Sequence, residues 1–132
     1  MSRSRKFLLQ CRYAAQANGR PIQENLDDLG LGSRFDSQHA VWIRDLALAT
    51  EKNLEELDRE IESALQNWRL ERLNVITRLI LEQALAEVRF GSTPPAVAID
   101  EAIRLAGEFE EEEARSFVNG VLDRLVGSRS DG

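Results

Sequence analysis

The sequence predicts an all-α domain, and three observations carry that prediction. Apolar residues recur three or four positions apart in every long segment, the spacing that makes one face of a helix apolar. No stretch alternates apolar and polar residues with period two over a useful length, so no sheet is expected. Proline and glycine are few, 3 and 8 in 132 residues. Most of them fall where one periodic segment gives way to the next.

A first helix is expected from about Ser4 to Asn18, with Phe7, Leu8, Cys11, Ala14 and Ala15 on one face. Asn18-Gly19 followed by Pro21 is a strong stop. The connector beyond it is polar, but Ile22, Leu26, Leu29 and Leu31 suit a short helix. Asp36 is a good N-cap for a second long helix carrying Ala40, Ile43 and Ala47, because its carboxylate accepts a free N–H of the first turn. The pattern runs on through Leu54, Leu57, Ile61, Ala64, Leu65 and Trp68. Either Asn53 marks a break, or Asp36 to Trp68 is almost one rod. Trp42 and Trp68 read as packing anchors.

Asn74 caps the next helix, which carries Val75, Ile76, Leu79, Ile80 and Leu85 to Val88. Gly91-Ser92-Thr93-Pro94-Pro95 is the clearest break in the chain. Beyond it Ile99, Ala102, Ile103 and Ala106 make an amphipathic helix ending near Gly107. The last helix starts in the glutamates around Glu110 to Glu113, where acids favour the positive end of the helix dipole. It ends near Gly127, leaving 128–132 as a frayed tail. Gly120 interrupts its apolar face, at about 1 kcal/mol relative to alanine. A close helix crossing is therefore expected at Gly120, and a larger residue there should be tolerated poorly.

At 132 residues, with 42% hydrophobic and 30% charged residues, the chain suits one globular domain, residues 1–132. No apolar run approaches the roughly 20 residues of a membrane span. The segment from Phe7 to Tyr13 contains Gln10 and Arg12 and is too polar for a signal peptide. Cys11 is alone, so no disulfide framework is expected. The chain reads as cytoplasmic.

The net charge of −6 argues against a dedicated, non-specific nucleic-acid binder. The charge is unevenly spread, however. Arg3, Arg5, Lys6 and Arg12 occur with no acid among them, while Glu108 and Glu110 to Glu113 form an acidic knot. On the first helix Arg5, Arg12 and Tyr13 are candidates to present guanidinium groups and a ring to RNA, where stacking on single-stranded bases supplements phosphate contacts. The competing reading has Tyr13 capping the core and the arginines solvating the helix. Phe117 is a core residue by periodicity, with an exposed face as its alternative. His39 has no ligand cluster or nucleophile motif around it, so neither a metal site nor a catalytic site is expected, and no cofactor.

Two C-terminal strings add a family resemblance. Val97-Ala98-Ile99-Asp100-Glu101-Ala102-Ile103-Arg104-Leu105-Ala106 is followed, about one helix-length later, by Phe117-Val118-Asn119-Gly120-Val121-Leu122-Asp123. Together they resemble the C-terminal signature of the NusB family of transcription antitermination factors. Leu9-Gln10-Cys11-Arg12-Tyr13 fits the family's first helix. Asn53 to Ile61, with Leu57-Asp58, fits a long middle helix, and Trp68 to Leu73 fits a common family form. The resemblance spans nearly the whole chain.

What the resemblance implies is an all-helical fold of two packed halves and a non-catalytic adaptor. Such a protein pairs with NusE, a small-subunit ribosomal protein. The pair binds boxA-type single-stranded RNA and acts on RNA polymerase through the antitermination complex, chiefly in ribosomal RNA synthesis. The implied RNA face is the basic N-terminus with Arg3, Arg5 and Lys6, then Tyr13 and the region of Phe117. The implied partner face is the helix from Ile76 to Val88, where Glu87 falls on a characteristic acid.

This chain also departs from the family pattern. Leu81-Glu82-Gln83-Ala84-Leu85-Ala86-Glu87-Val88 carries Glu82 where the family has arginine and Ala86 where it has tyrosine. Either the partner surface has changed at Glu82, or the family's arginine made a local pair that is absent here. Glu82 and Glu87 are therefore the candidate partner contacts, both expected near one exposed side. The rival function is a protein–protein module with little RNA affinity. A homodimer stays open, and the related helical domain fused to RNA methyltransferases is a remote third reading.

Overall fold

Local chemistry fixes where each helix starts and stops. The computed structural model describes residues 1–66 and 69–127, and its helices are α1 (Ser2–Asn18), α2 (Ile22–Asp28), α3 (Leu31–Arg34), α4 (Ser37–Lys52), α5 (Leu54–Ala64), α6 (Val75–Phe90), α7 (Pro95–Phe109) and α8 (Glu112–Leu122). No strand occurs among the described residues. Gly19 ends α1 in the left-handed conformation, φ 70°, with its N–H on the Ala15 carbonyl. Asp36 caps α4 by accepting the His39 N–H at 2.9 Å, and Asn74 caps α6 by accepting the Ile76 N–H at 2.8 Å. Pro95 opens α7, where its missing N–H costs nothing.

Asn53 is a break, not a point on one rod. It terminates α4 outside helical geometry, and its side-chain amide donates to the Ala49 carbonyl at 2.8 Å. The chain then leaves α5 at Ala64, earlier than the expected run to Trp68. Trp68 lies outside the described residues, as does the tail 128–132. After a 3-10 turn at Leu70–Arg72 the chain enters α6. The α-helical part of α8 closes at Leu122, and a π-helical turn over Asp123–Gly127 buries Leu125 and Val126.

The helices form two packed groups, α1–α4 and α5–α8, joined through α6. That helix packs against α1, α4, α5, α7 and α8. Its apolar side chains Ile80, Leu81 and Leu85 are at most 1% exposed and meet Phe7, Leu8, Ile43, Leu57 and Val118 in one core. Each such side chain contributes about 1.5–3 kcal/mol by leaving water. A helix surrounded this fully also buries its polar residues, and Glu82, Gln83 and Glu87 are all at most 2% exposed.

The close crossing expected at Gly120 is not found among the described residues. Among the described residues a Cβ built on Gly120 meets only Arg124 Nη1, at 3.8 Å, an ordinary contact. The tight approach between α7 and α8 falls at Gly107 instead, where a Cβ would run into the Arg115 side chain. Gly120→Ala should therefore raise the melting temperature, by an amount matching about 0.5–1 kcal/mol of helix propensity. Scanning calorimetry checks this; a clear loss of stability would restore the crossing.

Candidate nucleic-acid and partner surface

The two sides of α1 divide the basic residues into two sets. At about 100° per residue, Arg3, Lys6, Gln10 and Tyr13 lie along one stripe. Arg3, Gln10 and Tyr13 are exposed and Lys6 is half-buried. Arg5 and Arg12, seven residues apart, share the opposite face with Leu8 and Leu9, and both are buried.

The exposed stripe is held in place by aromatic rings. Arg3 stands over the Phe35 ring, 4.6 Å from its centroid, and its Nη2 donates to the Arg34 carbonyl at 2.8 Å. Lys6 lies 5.9 Å from the centroid of Phe109, and its Nζ donates to Glu108 Oε1 at 3.1 Å. Tyr13, 49% exposed, borders a recess of about 270 Å³ shared with Leu9, Gln10, Ile76 and Phe109. A flat ring beside a shallow apolar recess offers a nucleobase both a stacking face and a place to leave water. Phe109, at the end of α7, was not among the expected site residues; its signal is an aromatic placed inside the acidic knot, between Glu108 and Glu110. Phe117, from α8, is half-buried and packs on the core.

The expectation that Arg5 and Arg12 turn their guanidinium groups outward is corrected by their burial. Arg5 grips Glu87 in a two-point pair, Nε to Oε1 at 2.5 Å and Nη2 to Oε2 at 3.0 Å. The Arg5 guanidinium also lies over the half-buried Trp42 ring, 5.2 Å from its centroid. Gln83 Nε2 donates to the Arg5 carbonyl at 3.1 Å. Arg12 donates to the Leu79 carbonyl at 2.6 Å and to Glu82 Oε1 at 2.7 Å. These bonds latch α1 antiparallel to α6, and a buried arginine unpaired there would be costly.

Glu82 and Glu87 are likewise not on an exposed side. Their carboxylates face inward because α6 is enclosed on nearly every side. Glu82 also accepts from Arg78 Nε at 3.0 Å, and Arg78 Nη2 reaches Asp58 Oδ2 at 3.0 Å. Glu82 thus belongs to a four-member cluster with Arg12, Arg78 and Asp58. Burial and the neighbouring Asp58 push the Glu82 carboxyl up to about 7, against the pull of Arg12 and Arg78. The role of Glu82 is accordingly an internal one: the acid sits on α6 and α1 supplies the arginine.

Groups outside this surface offer little chemistry. Burial pushes the Cys11 thiol up to about 11, away from nucleophilic thiolate. His39 is bonded through Nδ1 to Asp36 Oδ1 at 2.8 Å, at the start of α4. No group of three or more His, Cys, Asp or Glu is placed to hold a metal among the described residues. No described helix is long and apolar enough to cross a membrane.

Comparison with known proteins gives a consistent picture. The sequence model of the NusB family matches residues 2–127. A transcription antitermination protein NusB from Solibacter usitatus is 36% identical over 125 residues, covering 93% of this chain and 86% of that protein. Its counterpart from Elusimicrobium minutum is 35% identical over 134 residues, covering 98% and 94%. Among solved structures, T. maritima NusB superposes with a TM-score of 0.89 at 29% identity, covering 96% of this chain and 89% of that one. A crystal structure of antitermination factors NusB and NusE in complex with dsRNA has a TM-score of 0.81 at 23% identity, covering 97% and 99%, and at that identity shows a shared fold.

Proposed function

The chain belongs to the NusB family of non-catalytic transcription antitermination factors, and from that premise we propose that it is an RNA-binding adaptor completed by a NusE ribosomal protein. Its ligand in this reading is boxA-type single-stranded RNA, and the pair carries that RNA to the antitermination complex on RNA polymerase during ribosomal RNA synthesis. The observation that carries the reading is the outward stripe of α1. Arg3 and Lys6 supply charge for two phosphates, and Tyr13 with its recess supplies a place for one base. Phe117, packed on the core, takes a smaller share.

Arg5, Arg12, Glu82 and Glu87 enter as positioning residues. By fixing α1 against α6 they hold the stripe facing solvent, and they touch neither RNA nor partner. NusE is therefore met by exposed residues and not by the two buried glutamates. One observation favours the rival protein-module reading: Glu108 already neutralises Lys6, beside a knot of four further glutamates. RNA affinity of the protein alone is accordingly weak, and the partner must contribute charge.

The test is RNA titration beside the cognate NusE at several salt concentrations. Tyr13→Ala should weaken binding by about 1–3 kcal/mol, with the salt slope unchanged. Arg3→Ala with Lys6→Ala should instead lower the slope by about 0.7 per phosphate released. Affinity unmoved by either change would transfer support to the protein-module reading.

A further inference from the structure

Most arginines of this acidic chain are paired with a carboxylate, but Arg3 and Arg34, like Arg72 and Arg124, have none within reach among the described residues. The two are held by an aromatic pair. Phe7 and Phe35 stand 5.0 Å apart between centroids; Arg3 covers Phe35 at 4.6 Å and Arg34 covers Phe7 at 4.8 Å. Stacking fixes a guanidinium plane without consuming its N–H donors. The Arg3 donor on the Arg34 carbonyl draws the segments together, and the Arg34 side-chain donors have no protein acceptor among the described residues.

A recess of about 130 Å³ opens between these residues and His39. His39 is committed through Nδ1 to Asp36, and its Nε2 has no protein partner among the described residues. The 16-residue helix α4 begins at the same place, so its positive dipole end faces the recess. Asp36 is the one acid lining it. Its carboxylate is occupied with the His39 N–H and ring, which hold it below the usual carboxylate range.

We infer that Arg34 and His39, with Arg3, form a phosphate-binding site that extends the RNA path beyond α1 onto the α3–α4 corner. The inference rests on the RNA reading above, because Arg3 belongs both to this recess and to the stripe that ends at Tyr13. Arg3 and Tyr13 are ten residues apart on one helix, roughly 15 Å at 1.5 Å per residue. An extended strand with a base at Tyr13 and a phosphate at Arg3 places its next phosphates at Arg34 and His39. A free phosphate or sulfate would satisfy the same donors, so the experiment separates that source from RNA.

The experiment uses the full chain with its cognate NusE. The probes are a boxA-type RNA of about 12 nucleotides, within the usual range for single-strand sites, and versions trimmed by a few nucleotides at either end. Arg34→Ala should weaken the full-length RNA about fivefold at 0.1 M salt and lower the salt slope by about 0.7, the release expected for one phosphate. Arg34→Lys should restore most of the slope, and His39→Gln should weaken binding less than Arg34→Ala. One of the two trimmed RNAs should show no response to Arg34→Ala while still responding to Tyr13→Ala. Unchanged melting temperature and NusE affinity confirm that the variants are folded. If Tyr13→Ala weakens RNA and Arg34→Ala does not, this site is overturned and the RNA reading stands. If Arg34 governs affinity for inorganic phosphate but not for RNA, the site is an anion site off the RNA path and the inference fails. If the unmutated pair binds no RNA, both fall together.

Discussion

Replacing Glu87 by alanine is expected to destabilise the protein by about 3–5 kcal/mol, a large part of the roughly 5–15 kcal/mol that holds a domain of this kind. The reason is what remains behind. Arg5 stays 6% exposed with its two-point carboxylate gone, and Glu101, 4.0 Å from the Arg5 guanidinium, is the sole remaining acid in reach among the described residues. Arg5→Ala should cost a similar amount by stranding Glu87. The double variant should cost clearly less than the sum, since neither charge is then buried alone. Replacing both by methionine should come near the wild-type stability, because the desolvation of both ions is also removed. Urea unfolding of the four variants measures this. Single losses below about 1 kcal/mol would mean that the pair is solvated and that α1 is not latched there.

The second large effect is a pH dependence centred on Glu82. Its carboxyl is pushed from the ordinary 4.5 up to about 7 by burial and by Asp58. A folded state that holds this proton more tightly than the unfolded chain has its full stabilisation below about pH 4.5. That stabilisation is lost as pH rises through 7, because Glu82 must then ionise inside the protein. Wild-type stability should therefore fall between pH 5 and 8, by up to about 3 kcal/mol more than that of Glu82→Gln, which has no such proton. Thermal melts of both proteins across that range give the comparison. Identical profiles would show that Glu82 titrates normally. A wild type that gains relative stability with rising pH would show that Arg12 and Arg78 outweigh burial. The cluster joins α1 to α6, so its loosening would also disturb the stripe proposed to meet RNA.

Helix positions were legible because the signals are local. Caps at Asp36 and Asn74, the stop at Gly19 and the break from Gly91 to Pro95 each depend on residues a few positions apart. The division of α1 into two faces was also present in the spacing: Arg5 and Arg12 align with Leu8 and Leu9, whereas Arg3, Lys6, Gln10 and Tyr13 align with one another. The bare count of basic residues in α1 merges two sets that differ in burial. The partners of the inner set were not legible, since Glu87 is 82 residues from Arg5 and Glu82 is 70 from Arg12. Their inward direction follows from the enclosure of α6 by five other helices, a tertiary fact. Gly120 misled for the same reason. A glycine inside a helix signals either a close neighbour or a tolerated propensity cost, and only packing distinguishes the two.

The adaptor reading is tested most directly by titrating boxA-type RNA with this protein alone and with its cognate NusE. Lys6 is neutralised by Glu108 and the chain carries −6 overall, so the protein alone should bind weakly. Adding NusE should tighten binding at least tenfold, with a steeper salt dependence as the partner's cations join Arg3 on the phosphates. Equal RNA affinity with and without NusE, or no complex with NusE at all, would contradict the account.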